Sequence, residues 1–145
     1  MADPLSFTAG IIAVIGAADG VATTLAKIRS LRNAPDELLA LTNEVSDLRI
    51  ILRDIENHFS QSTNRPQTPQ DQLGHMSVLI NRAKERILEL DRLIQYRLVK
   101  PESVSDQIKI SRQQWARAKD VINKFRQSLR DIRLNLMAQM LTINS

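Results

Sequence analysis

The chain contains no cysteine, and this absence removes disulfides, thiolate nucleophiles and cysteine-ligated zinc together. Aromatic residues make up only 3% of the 145 residues, so leucine, isoleucine, valine and alanine must fill any core. The 5 prolines fall between long segments rather than inside them, and the chain has only 4 glycines. Few helix breakers, with 43% apolar and 25% charged residues, indicate one all-helical globular domain.

Targeting signals are also missing from the beginning of the sequence. No basic region precedes the first apolar residues, so we expect no secretory signal. The Met-Gly start that N-myristoylation requires is absent as well. We therefore expect a cytoplasmic protein.

Apolar residues recur at steps of three and four in four long segments, which is the spacing of one helix face. Prolines near the beginning of three segments fit the first helical turn, where an N–H group is not needed. The sequence predicts helices over residues 4–32, 35–59, 69–98 and 105–141. We expect them to form an up-and-down four-helix bundle, with residues 1–145 as a single domain.

The first segment differs from the others because it is apolar or small on nearly every face. Residues 4–26 contain one charged side chain, Asp19, and as a helix they would reach ~35 Å, enough for a bilayer core. In the folded monomer, we expect the small residues to let this helix sit at the crowded centre of its own bundle. In a membrane, Gly16 and Gly20 would let several copies pack closely and hide Asp19. The candidates for membrane insertion are Leu5, Phe7, Ile11, Ile12, Val14, Ile15, Val21 and Leu25.

The opening residues 3–15 (DPLSFTAGIIAVI), the block over residues 33–52 and the last segment over residues 115–136 resemble fungal HeLo-like domains. This resemblance implies an N-terminal effector domain of NLR-type or ankyrin-repeat immune-receptor-like proteins. It also implies oligomerisation on activation, relocation from the cytoplasm to the plasma membrane, and regulated cell death. The sensor domain of the parent protein would then be a partner.

Positive charge is concentrated in the last segment. Residues 107–145 contain 8 basic and 2 acidic residues, whereas residues 36–57 contain 2 basic and 6 acidic residues. The functional interpretation is a contact for anionic lipid headgroups. The alternative is a solvated face that is partly paired with the acidic second helix. We define the basic stripe as Arg112, Lys119, Arg126, Arg130 and Arg133.

The sequence offers no catalytic constellation, so we expect neither an enzyme nor a cofactor. His58 and His75 flank the loop between the second and third helices, and we interpret them as surface residues rather than metal ligands. Nucleic acid is not an expected partner, because no aromatic platform or zinc motif accompanies the basic stripe. The alternative function is a soluble helical module that self-associates or docks another domain without membrane activity.

Overall fold

The computed structural model describes residues 4–31, 34–60, 70–100 and 110–144. Four long helices dominate: α1 (Pro4–Arg29), α2 (Glu37–Ser60), α3 (Gln70–Leu93) and α5 (Lys119–Asn144). A π-helical turn, Ile94–Leu98, extends α3, and the short helix α4, Arg112–Arg117, precedes α5. The prediction of an all-helical chain is confirmed over these residues. The extended backbone among them includes one isolated antiparallel bridge, between Val99 and Ile110.

The predicted helix faces form the core. Nearly every residue of the three-four spacing is buried, and Phe59 and Phe125 are half-buried. No polar or charged side chain among the described residues is fully buried. The helices are therefore held together by aliphatic packing along their lengths. Large side chains that are fully buried include Ile11, Leu25, Ile28, Leu38, Leu41, Leu48, Leu52, Ile55, Leu73, Met76, Ile87 and Leu90.

Each long helix lies against two others. Helix α1 contacts α2 and α3, and α5 contacts the same two helices from the other side. Among the described residues, no contact joins α2 to α3 or α1 to α5. Consecutive helices α2 and α3 therefore lie at opposite corners, and so do α1 and α5.

Two contacts fix the directions of the helices. The rings of Phe7 and Phe59 meet edge to face at 4.8 Å, which places the beginning of α1 beside the end of α2. Beyond α3, the Ser111 amide donates to the carbonyl of Leu98 at 2.9 Å, next to the bridge between Val99 and Ile110. These contacts make α1 antiparallel to α2, and α3 antiparallel to α5.

The predicted fourth helix, residues 105–141, is wrong in two respects. Residues 105–109 lie outside the described part of the chain, but Ile110 and Ser111 are not helical. The helix begins after Ser111, whose hydroxyl accepts a hydrogen bond from the amide of Gln114 at 3.3 Å. It is then interrupted at Ala118 (ψ 3°), although the Ala118 carbonyl still accepts from the Ile122 amide at 2.8 Å.

The third predicted helix also changes character before its end at residue 98. The amide of Val99 donates to the carbonyl of Ile94 at 2.8 Å, five residues back, so the last turn is π-helical. Both Leu98 and Val99 are buried at the end of this wider turn. The π-helical turn thus ends directly before Val99, which pairs with Ile110 ahead of α4.

Candidate membrane-active helix and basic stripe

Helix α1 turns its large apolar side chains inward. Of the eight predicted insertion residues, six are buried: Phe7, Ile11, Val14, Ile15, Val21 and Leu25. Ile12 is 53% exposed, and the side chain of Leu5 lies outside the described part of the structure. The residues that would face lipid are thus the residues that pack against α2 and α3, so α1 has to leave these helices before it can insert.

Apart from Ile12, the outward face of α1 is made mostly of small residues. Ala9, Ala13, Gly16 and Gly20 are exposed or nearly so and follow one another along this face. A Cβ atom added at Gly16 or Gly20 would meet no atom within 4 Å. The expectation that the small residues let α1 sit at the crowded centre of its own bundle is therefore wrong for these glycines. The glycines have no packing role within the described monomer.

Asp19, the charged residue in this apolar segment, lies at the interface of α1 with α2. The Nε and Nη2 atoms of Arg49 both lie 2.6 Å from Asp19 Oδ1. Arg53 adds its Nη2 atom at 3.2 Å from the same oxygen. The three side chains are partly exposed, at 41% for Asp19, 26% for Arg49 and 53% for Arg53, so each pair is a surface ion pair of modest strength.

Sequence reasoning missed these two partners of Asp19. Arg49 and Arg53 are one helical turn apart, so they lie on the same face of α2, and this spacing is visible in the sequence. Periodicity identifies the face, but it does not say which neighbouring helix will cover it. The single acid of α1 was the signal that could have suggested the pairing.

By length and composition, the stretch Ser6–Arg29 is sufficient to cross a bilayer, with a mean hydropathy of 1.7. The core helix of a protein that never meets a membrane has the same properties. Hydropathy alone therefore does not separate the two uses of α1.

The basic stripe divides into paired and exposed members. Lys119 Nζ lies 3.3 Å from Glu37 Oε1, and Arg133 Nη2 lies 3.2 Å from Glu44 Oε1. Arg112 and Arg130 are exposed, whereas Arg126 is half-buried and donates to Asn123 at 3.1 Å. Two members thus pair with acidic α2 and two face solvent, which is the arrangement of a solvated face partly paired with the second helix, and contact with anionic lipid stays a prediction.

A polar groove runs between α2 and α5 beside these pairs. Glu44 and Asp47 line it from α2, and Arg126, Arg130 and Arg133 line it from α5. The Arg133–Glu44 pair is the more sheltered of the two α2–α5 bridges, with side chains 20% and 12% exposed. With three arginines and two carboxylates, the groove balances most of its own charge. The Arg133–Glu44 pair therefore helps to attach α5 to α2.

Glu37, the first residue of α2, has a perturbed carboxyl. A hydrogen bond from its own backbone N–H lowers the pKa of Glu37, and Lys119 lowers it further, while partial burial acts in the opposite direction. This is the expected behaviour of a carboxylate at a helix N-terminus. The lowered pKa is thus explained by helix capping and one ion pair.

The histidines form no metal site in the part of the chain that the structure describes. No group of three or more histidine, aspartate or glutamate side chains gathers there. His58 lies edge to face with Phe59 at 5.0 Å, and His75 is exposed on α3. Because α2 and α3 do not contact each other, their two histidines lie on separate helices at opposite corners.

Comparison with known proteins gives one result. Residues 2–144 match the family described as pigment biosynthesis cluster protein PigL N-terminal, a fungal domain family. No curated protein and no solved structure shows a significant match. The likeness to HeLo-like domains stays a hypothesis, because this family description does not mention them. Since the match covers nearly every residue, the chain belongs to the PigL N-terminal family.

Proposed function

We propose that this domain is a membrane-directed effector, a four-helix bundle that oligomerises and perturbs lipid bilayers through α1. The observation that carries the proposal is the division of α1 into two faces. One face carries large apolar side chains that are buried against α2 and α3, and the other is uncharged, mostly small and open to solvent, with Ile12 as an exposed large residue. A helix that only supplied core residues would need no exposed face of this kind, because solvent-facing positions in soluble helices are usually polar.

The energetics of insertion favour an assembly over a single copy. The eight apolar candidates contribute about −2 to −5 kcal/mol to membrane insertion, and one aspartate near the helix centre opposes this by about +3 kcal/mol. Glycine, serine and threonine reduce the balance further. Close packing through Gly16 and Gly20 would let several copies share contacts and shield Asp19 from lipid.

The charges outside α1 are consistent with a bilayer that contains anionic lipid. Arg112 and Arg130 are exposed on α4 and α5, and each basic residue near such a surface contributes ~1 kcal/mol to binding. Lys27 and Arg29 lie in the last turn of α1 and would remain on the cytoplasmic side during insertion. The resemblance to HeLo-like domains adds the finer proposals of a cytoplasmic domain that relocates to the plasma membrane, causes regulated cell death and is triggered by a sensor domain.

Dye leakage from liposomes, with and without anionic lipid, tests this function. The Ile12→Glu variant adds a charge to α1 at a position that is 53% exposed, so it should fold and yet resist insertion. The matched control is Ile50→Glu at a 60% exposed position of α2, which should leak like the parent. If Ile12→Glu leaks as fast as the parent, α1 is not the helix that inserts into the membrane.

A second function is favoured by a different surface. Leu134, Met137 and Leu141 lie on one side of α5 and are 47%, 42% and 73% exposed. Neighbouring exposed apolar side chains of this kind are typical of surfaces that contact another protein. The domain would then be a soluble module that self-associates or docks a partner. In that case the unsubstituted domain would release no dye in the leakage experiment.

A further inference from the structure

We propose that Asp19, Arg49 and Arg53 form an autoinhibitory lock that holds α1 against α2 until the domain is activated. This inference rests on the proposed function, since it concerns the step in which α1 leaves the bundle. The lock joins the segment that would insert to the helix that stays behind. It does so through the one charged residue between Pro4 and Ala26.

The geometry concentrates three donors on one carboxylate. Arg49 donates through Nε to Oδ1 at 2.6 Å and its Nη2 lies 2.6 Å from the same oxygen, while Arg53 Nη2 approaches Oδ1 and Oδ2 at 3.2 and 3.5 Å. The two arginines are four residues apart on α2, so they reach Asp19 from adjacent turns. Hydrogen bonds between charged groups depend on direction, so these contacts favour the register that the apolar packing of α1 on α2 sets.

Release of α1 would leave unpaired charges on both sides of the interface between α1 and α2. Asp19 would lose its partners and oppose insertion as an uncompensated carboxylate. Arg49 and Arg53 would gain freedom to contact anionic headgroups, together with the exposed residues of the basic stripe. The same contact therefore stabilises the closed state and withholds two cations from the membrane surface.

The arginine side of the lock gives the sharper test. Asp19→Asn removes the lock, but it also makes α1 easier to insert, so a gain in leakage would have two explanations. Arg49→Gln with Arg53→Gln removes the lock and also removes two positive charges, which by itself would weaken binding to anionic vesicles. Faster leakage from this double variant is expected only if the lock restrains α1.

Opening of α1 can be measured without lipid, because the chain has no cysteine of its own. We would place a single thiol by Val21→Cys, at a position of α1 that is 1% exposed, and follow its labelling by a maleimide in solution. The Arg49→Gln, Arg53→Gln change should raise the labelling rate about two- to fivefold, the range that exposed ion pairs support. Arg86→Gln is the charge control, since Arg86 pairs with Glu89 within α3 at 2.9 Å.

A second thiol separates local opening from loss of the whole fold. Ile122→Cys lies on α5, is 0% exposed and belongs to a helix that does not contact α1. The lock requires faster labelling at residue 21 and an unchanged rate at residue 122. Equal acceleration at both thiols, or no acceleration at residue 21, would overturn it. If labelling at residue 21 rises while no variant leaks, the lock holds and the membrane function is wrong.

Discussion

Replacing Gly16 and Gly20 with alanine or with leucine is expected to stabilise the monomer. Both glycines lie in the interior of α1, and a Cβ atom at either would meet no atom within 4 Å. Alanine is favoured over glycine inside an exposed helix by about 0.8–1.0 kcal/mol per position, and leucine by nearly as much. The double alanine and double leucine variants should therefore each gain about 1.5–2 kcal/mol of folding free energy, if no other contact changes.

Membrane activity should separate the two variants. Gly16→Ala with Gly20→Ala keeps side chains small enough for close helix approach, so leakage should stay near that of the parent. Gly16→Leu with Gly20→Leu raises the hydrophobicity of α1 but blocks that approach, so leakage should fall. Both variants should thus be more stable than the parent, but only the double leucine variant should lose leakage activity.

Urea denaturation followed by circular dichroism measures the first effect, and dye release from anionic vesicles measures the second. A double alanine variant that is less stable than the parent would contradict the open glycine face. A double leucine variant that folds and releases dye as fast as the parent would refute close packing of α1 in the membrane. Comparing the two variants excludes a trivial explanation by added stability alone.

Three further predictions concern the rest of the molecule. Leu48→Ala should reduce the free energy of unfolding by ~2–5 kcal/mol in urea titrations, because Leu48 is 0% exposed. Ile50→Ala, two residues away and 60% exposed, should change it by less than ~0.5 kcal/mol. Arg112→Gln with Arg130→Gln should weaken co-sedimentation with anionic vesicles at low salt and leave stability unchanged, and undiminished binding would eliminate both residues as lipid contacts. Because the pKa of Glu37 is lowered in the fold, its stabilising contribution is complete above the unfolded-state pKa and is lost as the pH falls through the folded value. Glu37→Gln should therefore flatten the part of the acid limb that lies below the unfolded-state value of 4.5, and an identical acid limb would contradict this origin.

Much of the fold could be predicted from spacing alone. The three-four pattern found every buried position of α2, from Leu38 to Ile55, because helical geometry repeats every 3.6 residues whatever the neighbours are. The beginning of α4 was not predicted because two serines, Ser105 and Ser111, have the same capping chemistry in sequence. Which serine begins the helix is decided by pairing between Val99 and Ile110, a contact that no local pattern reveals.

The candidate site was less predictable than the core. Glycine contributes almost nothing to a hydrophobic pattern, so periodicity could not say whether Gly16 and Gly20 face a neighbour or solvent. The contact of Asp19 with Arg49 and Arg53 depends on which corner of the bundle α2 occupies. Spacing determines the faces of helices but leaves their neighbours undetermined, and consecutive helices α2 and α3 indeed do not touch.

On our proposal, release of α1 and association of copies are thermodynamically linked. Moving the large side chains of α1 from the core into lipid changes their environment little, because both surroundings are apolar. The faces of α2 and α3 that α1 covers would, however, become exposed to water, at about 1.5–3 kcal/mol for each large apolar side chain. Such faces would have to close on each other or on another copy. A single domain should therefore keep α1 in place. When several domains assemble, the ion pairs of Asp19 and close packing through the glycine face should decide whether α1 is released.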